Sequence, residues 1–373
     1  MAPRAALLSV VVFVVALTTL SACGGSDDEV AAGSGVGGSG GQSSGGAAGL
    51  SGVAGGSQGG LGGAGGMAGV GAAGAAGTPA VGGSGGTAGA GTGGGGTGGG
   101  TTVLPGPDIK VMTFNIRVGT ANDGADSWSP DRKHLVYDVF KQRDADFVGV
   151  QEAKPFQLQD IDAAVSGYKH IGVLSHAGGE ICALYYKPSR FTLKKSDTFW
   201  LSTTPEKVGS SSWGSKLPRV VTWGRFVEKK TGYVFYVYNT HFDHVSQNAR
   251  EQSAVLLSKR IDKEVDNHPF VVTGDLNAGE SNLVIRYLKG KAKIDGFDNP
   301  RPMRDSFRVD NPDATDVGTA HGFSGKTTGA KIDYVFISKG QQVKNAYIDH
   351  YHVGARYPSD HFPVIGRMLF PDQ

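Results

Sequence analysis

The stretch Phe270-Val271-Val272-Thr273-Gly274-Asp275-Leu276-Asn277 decides the fold class. A run of β-favouring residues without charge is followed at once by a glycine, a carboxylate and a carboxamide, as in a buried strand that stops at a polar surface. The pattern recurs along the chain. Ile109 to Ile116 carries Asn115 near its end, Phe147 to Val150 runs into Gln151-Glu152, Val234 to Tyr238 runs into Asn239-Thr240-His241, and Ser359-Asp360-His361 stands ahead of Phe362 to Leu369. Further apolar runs lie at Ile181 to Tyr186, Val220 to Val227 and Ile332 to Ile337. One helical pattern opens near Ser129-Pro130-Asp131 with Leu135, Val136, Val139 and Phe140 on one face, and another opens at Ser246 and stacks Ala254, Leu257, Ile261 and Val265. Strands outnumber helices and short turns such as Lys229-Lys230-Thr231-Gly232 join some of them, so two packed mixed sheets flanked by helices are favoured over a purely parallel sheet.

The chain's 373 residues fall into two parts of opposite character. Residues 1–23 read as a signal peptide, with Arg4, an apolar run from Ala5 to Leu17, and Leu20-Ser21-Ala22-Cys23, which resembles a bacterial lipobox. Cys23 is the expected lipidation site, ahead of an ordinary signal peptide with an incidental cysteine, and the run is short for a membrane span. Residues 24–104 are mostly Gly with Ala, Ser and Thr, carry only Asp27, Asp28 and Glu29 as charges and hold no aromatic residue. Such a segment cannot bury a core and is expected to be a disordered tether, spanning on the order of 50 Å at about 5–6 Å times √n. The expected location is extracytoplasmic, lipid-anchored to a bacterial membrane (outer rather than inner), in the periplasm or on the surface.

Residues 105–373 are long enough for one large domain around a single core. Arg4 is the one basic residue before them, against Asp27, Asp28 and Glu29, so the whole-chain charge of +2 becomes about +4 in this part. A mildly basic domain admits an anionic substrate but shows no Lys/Arg stripe of the kind that dominates nonspecific DNA affinity. Cys182, inside the run Ile181 to Tyr186, has no expected disulfide partner and reads as a buried strand residue.

The polar strand ends carry the chemistry. Glu152 suits Mg²⁺, which takes few protein oxygens and keeps several waters, with helix capping beside Lys154-Pro155 as the plain alternative. Asp275 can accept a proton from an attacking water and Asn277 can donate to charge developing on phosphorus, although Gly-Asp-x-Asn is also ordinary turn chemistry. His241 can donate to a nonbridging phosphate oxygen, while Asp243 and His244 either reach substrate or hold a loop. Asp333 beside His361 would fix its tautomer and raise its pKa, with an ion pair to Lys331 as the competing role. Arg117 and Arg219 suit bidentate phosphate recognition, and His321, in the Gly-rich loop before Lys331, is a further phosphate candidate. Trp128 and Trp213 either line the mouth of the site or pack their loops down.

Taken in order, Thr113-Phe114-Asn115-Ile116-Arg117, Gln151-Glu152, Asn239-Thr240-His241, Gly274-Asp275-Leu276-Asn277, Ile332-Asp333-Tyr334 and Ser359-Asp360-His361 resemble the endonuclease/exonuclease/phosphatase superfamily over about residues 108–370. The resemblance implies an α+β fold, a four-layer α/β/β/α sandwich of two mixed sheets of the deoxyribonuclease I-like kind, with the site at one end between the sheets. It implies that Glu152, with Asn115 and Asp360 nearby, binds Mg²⁺ or Mn²⁺. It further implies that Asp275 and Asn277 align a nucleophilic water, and that His241 and His361, the latter oriented by Asp333, contact the scissile phosphate. The expected activity is metal-dependent hydrolysis of a phosphate ester by in-line attack of water, with a phosphodiester first and an extracellular nuclease on DNA or RNA second. A catalytically inactive tethered binding module is opposed by the presence of every one of these residues. The expected partners are a phosphate-ester substrate (nucleic acid, phospholipid or sugar phosphate) and the membrane through the anchor. No protein partner is legible, and a monomer is expected.

Overall fold

The structure is a computed structural model and describes residues 103–373, so the expected signal peptide, Cys23 and almost all of the expected tether lie outside the described residues. The strands are β1 (Asp108–Asn115), β2 (Phe147–Ala153), β3 (Lys169–Ile171), β4 (Ile181–Tyr186), β5 (Phe191–Trp200), β6 (Val220–Glu228), β7 (Val234–His241), β8 (Phe270–Asp275), β9 (Arg304–Asp305), β10 (Asp333–Ile337), β11 (Gln342–Ile348) and β12 (Val364–Leu369). The α-helices are α1 (Lys133–Arg143), α2 (Pro155–Ala164), α3 (Gln247–Val265), α4 (Leu283–Leu288) and α5 (Ser306–Asp310). Ser246 caps α3 as its sequence position leads one to expect, accepting from the Ala249 N–H. The first helical pattern opens instead with an irregular turn over Trp128–Arg132 and settles into α1 at Lys133. No helix among the described residues is long and apolar enough to cross a membrane.

Two six-stranded sheets form, in the orders β11-β12-β1-β2-β4-β3 and β5-β6-β7-β8-β10-β9. Each has one parallel pair at its centre, β1 with β2 and β7 with β8, and antiparallel neighbours around it. Successive residues of the central strands point to opposite faces and both faces are covered, which is why these strands read as unbroken apolar runs. On β1, Ile109 and Val111 face the core shared by the two sheets, where they join Phe147, Phe226, Phe235, Val271 and Val335. Met112 and Phe114 on the opposite face join Val136, Val139 and Phe140 of α1 and Leu158 and Ile161 of α2. The second sheet packs Val272 and Phe336 outward against Leu257 and Ile261 of α3 and Ile285 and Leu288 of α4. The result is the four-layer α/β/β/α sandwich, each fully buried Val, Leu or Phe contributing about 1.5–3 kcal/mol.

A buried polar layer sets how one sheet sits over the other. The Gln151 amide donates to Oγ1 of Thr113 (3.1 Å) on its own sheet and to Oδ1 of Asn239 (2.7 Å) on the facing one. Asn239 in turn donates to the carbonyls of Val150 and Ala183, and its Oδ1 also accepts from the Thr273 hydroxyl. Gly149 makes the close approach possible, because a Cβ there would stand 2.0 Å from Oγ1 of Thr273. Chain entry lies at the other pole: Leu104 and Gln373 pair through their backbones, near the beginning of β7.

Candidate active site

Parallel strands that start together also finish together, so the C-terminal ends of both central pairs open onto one pole, where open α/β sheets collect ligands. Asn115 lies opposite Gln151 in register, His241 opposite Asp275, and Asp333 opposite Asp275 from the antiparallel side. Glu152 reaches the pole by a different device. The pairing of β2 with β4 slips between Val150 and Ala153, and Glu152 takes φ 63° in that irregularity. Arg117 (φ 58°) and Asn277 (φ 47°) are likewise left-handed, an uncommon conformation for residues with a Cβ that concentrates where side chains are re-aimed.

The side chains from the two sheets meet. Asn115 donates its amide to Oε1 of Glu152 (3.0 Å) and to Oδ2 of Asp275 (3.1 Å), while its own Oδ1 accepts from the Arg117 N–H. Oε2 of Glu152 is held by the Val118 N–H. Oδ1 of Asp275 accepts from the Asn277 N–H at 2.9 Å. Nδ1 of His361 lies 2.9 Å from Oδ2 of Asp333 and 3.9 Å from Oδ2 of Asp275. Ser359 donates to the Asn115 carbonyl, tying the last segment to the first strand.

The two histidines stand in opposite protonation states. Burial lowers the His361 pKa, but the charge and hydrogen bond of Asp333, helped by Asp275 and Asp360, outweigh it and push the group up to about 10. His361 is therefore an imidazolium at neutral pH. His241 is driven well below its ordinary range by burial and by the neighbouring Arg219 charge. Nη1 of Arg219 lies 3.0 Å from Nδ1 of His241, and Nδ2 of Asn277, which also donates to the Phe242 carbonyl, lies 3.0 Å from Nε2, so a donor group faces each ring nitrogen. The nearest carboxylate oxygen, on Asp275, is 3.5 Å from Nε2. Burial, with the charge of Asp333, raises Asp275 to about 7. Burial also raises Asp360 and Glu180, each with a contribution from the Glu152 charge.

The remaining expected site residues are placed as follows. Arg117 is paired bidentately with Asp123 and lies 3.5 Å from Asp360. Arg219 spans His241, His244 (3.1 Å) and Glu180 (3.4 Å). His321 is packed away from the cluster: its ring stacks on Phe362 with centroids 3.9 Å apart, and its Nδ1 accepts from the Gly325 N–H. Asp243 holds a loop, accepting from the N–H groups of Lys216, Val245 and Ser246. Lys331 pairs with Asp305 at 2.9 Å, fully buried, and not with Asp333. Trp128 packs down, donating to Asp160. Glu180, which carried no signal in the sequence, stands next to the site because Ile181 pairs with Ala153, one residue past Glu152. A groove of about 750 Å³ lined by Val173, Trp200 and Val208 lies along the sheet edges and contains none of the converging side chains.

The surplus of carboxylate at this pole is the physical case for a cation. Asp275, Asp333 and His361 offer ligand atoms within 4.8 Å of one another, and Glu152 and Asp360 add hard oxygens beside them. With His361 carrying a proton, the donors that fit a divalent metal are the carboxylates. Asn115 presents its nitrogen to them and its oxygen to the backbone.

A site made of carboxylates, carboxamides and two unlike histidines at one end of a double-sheet sandwich defines a phosphoester hydrolase, and the chain belongs to the endonuclease/exonuclease/phosphatase family, whose sequence pattern matches residues 112–361. Members of this family hydrolyse phosphoester bonds and generally depend on a divalent metal. A family member from Bacteroides vulgatus is 31% identical, with TM-score 0.64, over 70% of this chain and 98% of that one. A mannosyl-6-phosphatase from Bacteroides thetaiotaomicron is also 31% identical, with TM-score 0.62, over 70% of this chain and all of its own (100%). An uncharacterized protein of Acanthamoeba polyphaga mimivirus is 24% identical over 275 residues, 69% of this chain and 98% of its own.

Proposed function

We propose that the protein is a magnesium- or manganese-dependent phosphoesterase that cleaves its substrate by in-line attack of water, without a covalent enzyme intermediate. The observation that carries this reading is the meeting, within hydrogen-bond distance, of Asn115 and Glu152 from one sheet with Asp275 from the other. Glu152 and Asp360 would hold the metal, which would supply Lewis-acid stabilisation of the phosphoryl oxygens. Asp275, with a pKa near neutrality and its other oxygen pinned by Asn277, takes the proton of the water. The His361 imidazolium and the Asn277 amide, which stands 3.0 Å from Nε2 of His241, donate to the phosphate and bind charge that grows in the transition state. Two titrating groups pushed apart by their surroundings thus divide the work of base and acid.

A phosphodiester is the first expectation from the sequence, and the 31% likeness to a mannosyl-6-phosphatase puts a sugar phosphomonoester beside it. Hydrolysis of p-nitrophenyl phosphate and bis(p-nitrophenyl) phosphate, each with Mg²⁺, Mn²⁺ or EDTA, tests the proposal and separates the two esters. No metal-dependent release from either sinks it. The protein is further proposed to be a lipoprotein anchored through Cys23. Palmitate labelling that is unchanged in Cys23→Ser would remove the anchor.

A further inference from the structure

Beyond Arg219, as seen from the phosphate-binding cluster, lies a separate cavity of about 120 Å³, bounded by Lys154, the loop between β3 and β4, and the segment Leu217-Pro218 that leads into β6. At about 30 Å³ per water it has room for roughly four waters, enough for the hydroxylated edge of one small alcohol and too little for an oligonucleotide. Arg219 forms the shared wall: its Nη1 is 3.0 Å from Nδ1 of His241 and 3.4 Å from Oε2 of Glu180. The cavity and the His241 ring therefore share the Arg219 guanidinium between them, and the alcohol of an ester bound at the cluster can reach this space past Arg219.

The lining is rigid and of mixed polarity. Lys154 donates to the carbonyls of Gly178 and Gly179, Trp200 donates to the Ser175 carbonyl, and the Ser175 N–H donates to the Glu180 carbonyl, so the loop is fixed before anything binds. Gly179 lets the loop fold on itself, since a Cβ there would stand 2.5 Å from Nδ1 of His176. Glu180 is a strong acceptor, and Arg219 and His176 can donate. No Phe, Tyr or Trp lines the space. Nucleobases are gripped by aromatic stacking and acyl chains by continuous apolar walls, and neither is present here. Hydroxyl groups, which donate and accept at once, suit such a lining.

We infer that this cavity is the subsite for the alcohol half of the substrate and that it selects a polyhydroxylated one, a sugar or cyclitol phosphate, with Glu180 accepting from its hydroxyls. The inference rests on the phosphoesterase reading and deepens it by naming the substrate class. A charged hydrogen bond to a substrate hydroxyl corresponds to roughly tenfold to a hundredfold in kcat/KM.

The test compares hexose 6-phosphates with p-nitrophenyl phosphate, using the full chain in detergent as wild type, Glu180→Gln and His176→Ala. Thermal melts check folding, and the second variant alters the half-buried loop residue without touching Arg219. The expected result is that the ratio of kcat/KM for the sugar ester to that for the aryl ester falls at least tenfold in Glu180→Gln and in the same direction in His176→Ala. Equal losses for both esters would overturn the subsite and leave the phosphoesterase reading standing, with Glu180 reduced to a support for Arg219. Wild-type preference for a dinucleotide over every sugar phosphate would also overturn it. Hydrolysis of no ester at all would overturn both.

Discussion

Replacing Asp275 with Asn should stabilise the metal-free protein in alkali and destabilise it in acid. The Asp275 carboxyl is buried and rises from 3.8 to about 7 on folding, because burial and the facing Asp333 disfavour its charge. The folded state thus holds this proton more tightly than the unfolded chain, and the associated stability is fully present below about pH 4 and is lost as pH rises through about 7. A shift from 3.8 to about 7 corresponds to about 4 kcal/mol at pH 9. The substituted carboxamide cannot ionise and escapes that loss, but its nitrogen then faces the amide nitrogen of Asn115, now 3.1 Å from Oδ2, and two donors in contact cost about 1–3 kcal/mol. The difference leaves the variant about 1–3 kcal/mol more stable than wild type at pH 9, or a Tm higher by roughly 5 °C for a domain of this size. Near pH 4 the carboxyl is protonated in the folded state and partly so in the unfolded one, the gain falls below about 1 kcal/mol, and the variant melts lower, by up to about 2 kcal/mol. Melts from pH 4 to 9 in EDTA read this directly. A Tm difference that does not change with pH, or a variant less stable at pH 9, would refute the placement of Asp275 in an uncompensated acidic cluster. In wild type, Mg²⁺ should raise Tm more at pH 8 than at pH 5, because it fills the same deficit.

Asp333→Asn should lower kcat by about 10²–10⁴ with little change in fold, and should move both limbs of the pH–rate profile toward acid. His361 loses the neighbour that raises it, and Asp275 loses a neighbouring charge that raises its own pKa. Gly149→Ala should cost about 2–4 kcal/mol in urea unfolding, because its Cβ would collide with Thr273 and Asn239 and break the polar layer between the sheets. Lys331→Met should cost about 3–5 kcal/mol by leaving Asp305 buried and unpaired, and Lys331→Met combined with Asp305→Leu should recover most of it.

The sequence made legible what repeats. Strands that are covered on both faces must be apolar for most of their length, so β1, β2, β4, β7, β8 and β12 stand out, and the polar residues at or near the ends of β1, β2, β7 and β8 mark the pole where those four finish. The sheet edges were not legible. β5 carries Lys194, Lys195 and Asp197 in its exposed middle and β11 is largely polar, as edge strands are when they resist pairing with other chains, and that composition hides them from a search for apolar runs. Within the site, Asn115, Glu152, His241, Asp275, Asn277, Asp333, Asp360 and His361 announce themselves as polar residues where apolar runs begin or end. Glu180 does not, because it precedes its strand and is brought in only by the pairing of Ile181 with Ala153. Nor could the sequence say that Arg219 lies against Nδ1 of His241 or that His321 stacks on Phe362, since both depend on which loops close over the pole.

The most direct measurement is the turnover of a phosphate ester by wild type, Asp275→Asn and His361→Ala as Mg²⁺ or Mn²⁺ is titrated in from EDTA. Convergence of these groups on one reacting phosphate predicts metal-dependent hydrolysis that falls by about 10²-fold or more in each variant. Equal rates in all three proteins, or a wild-type rate indifferent to metal, would contradict it.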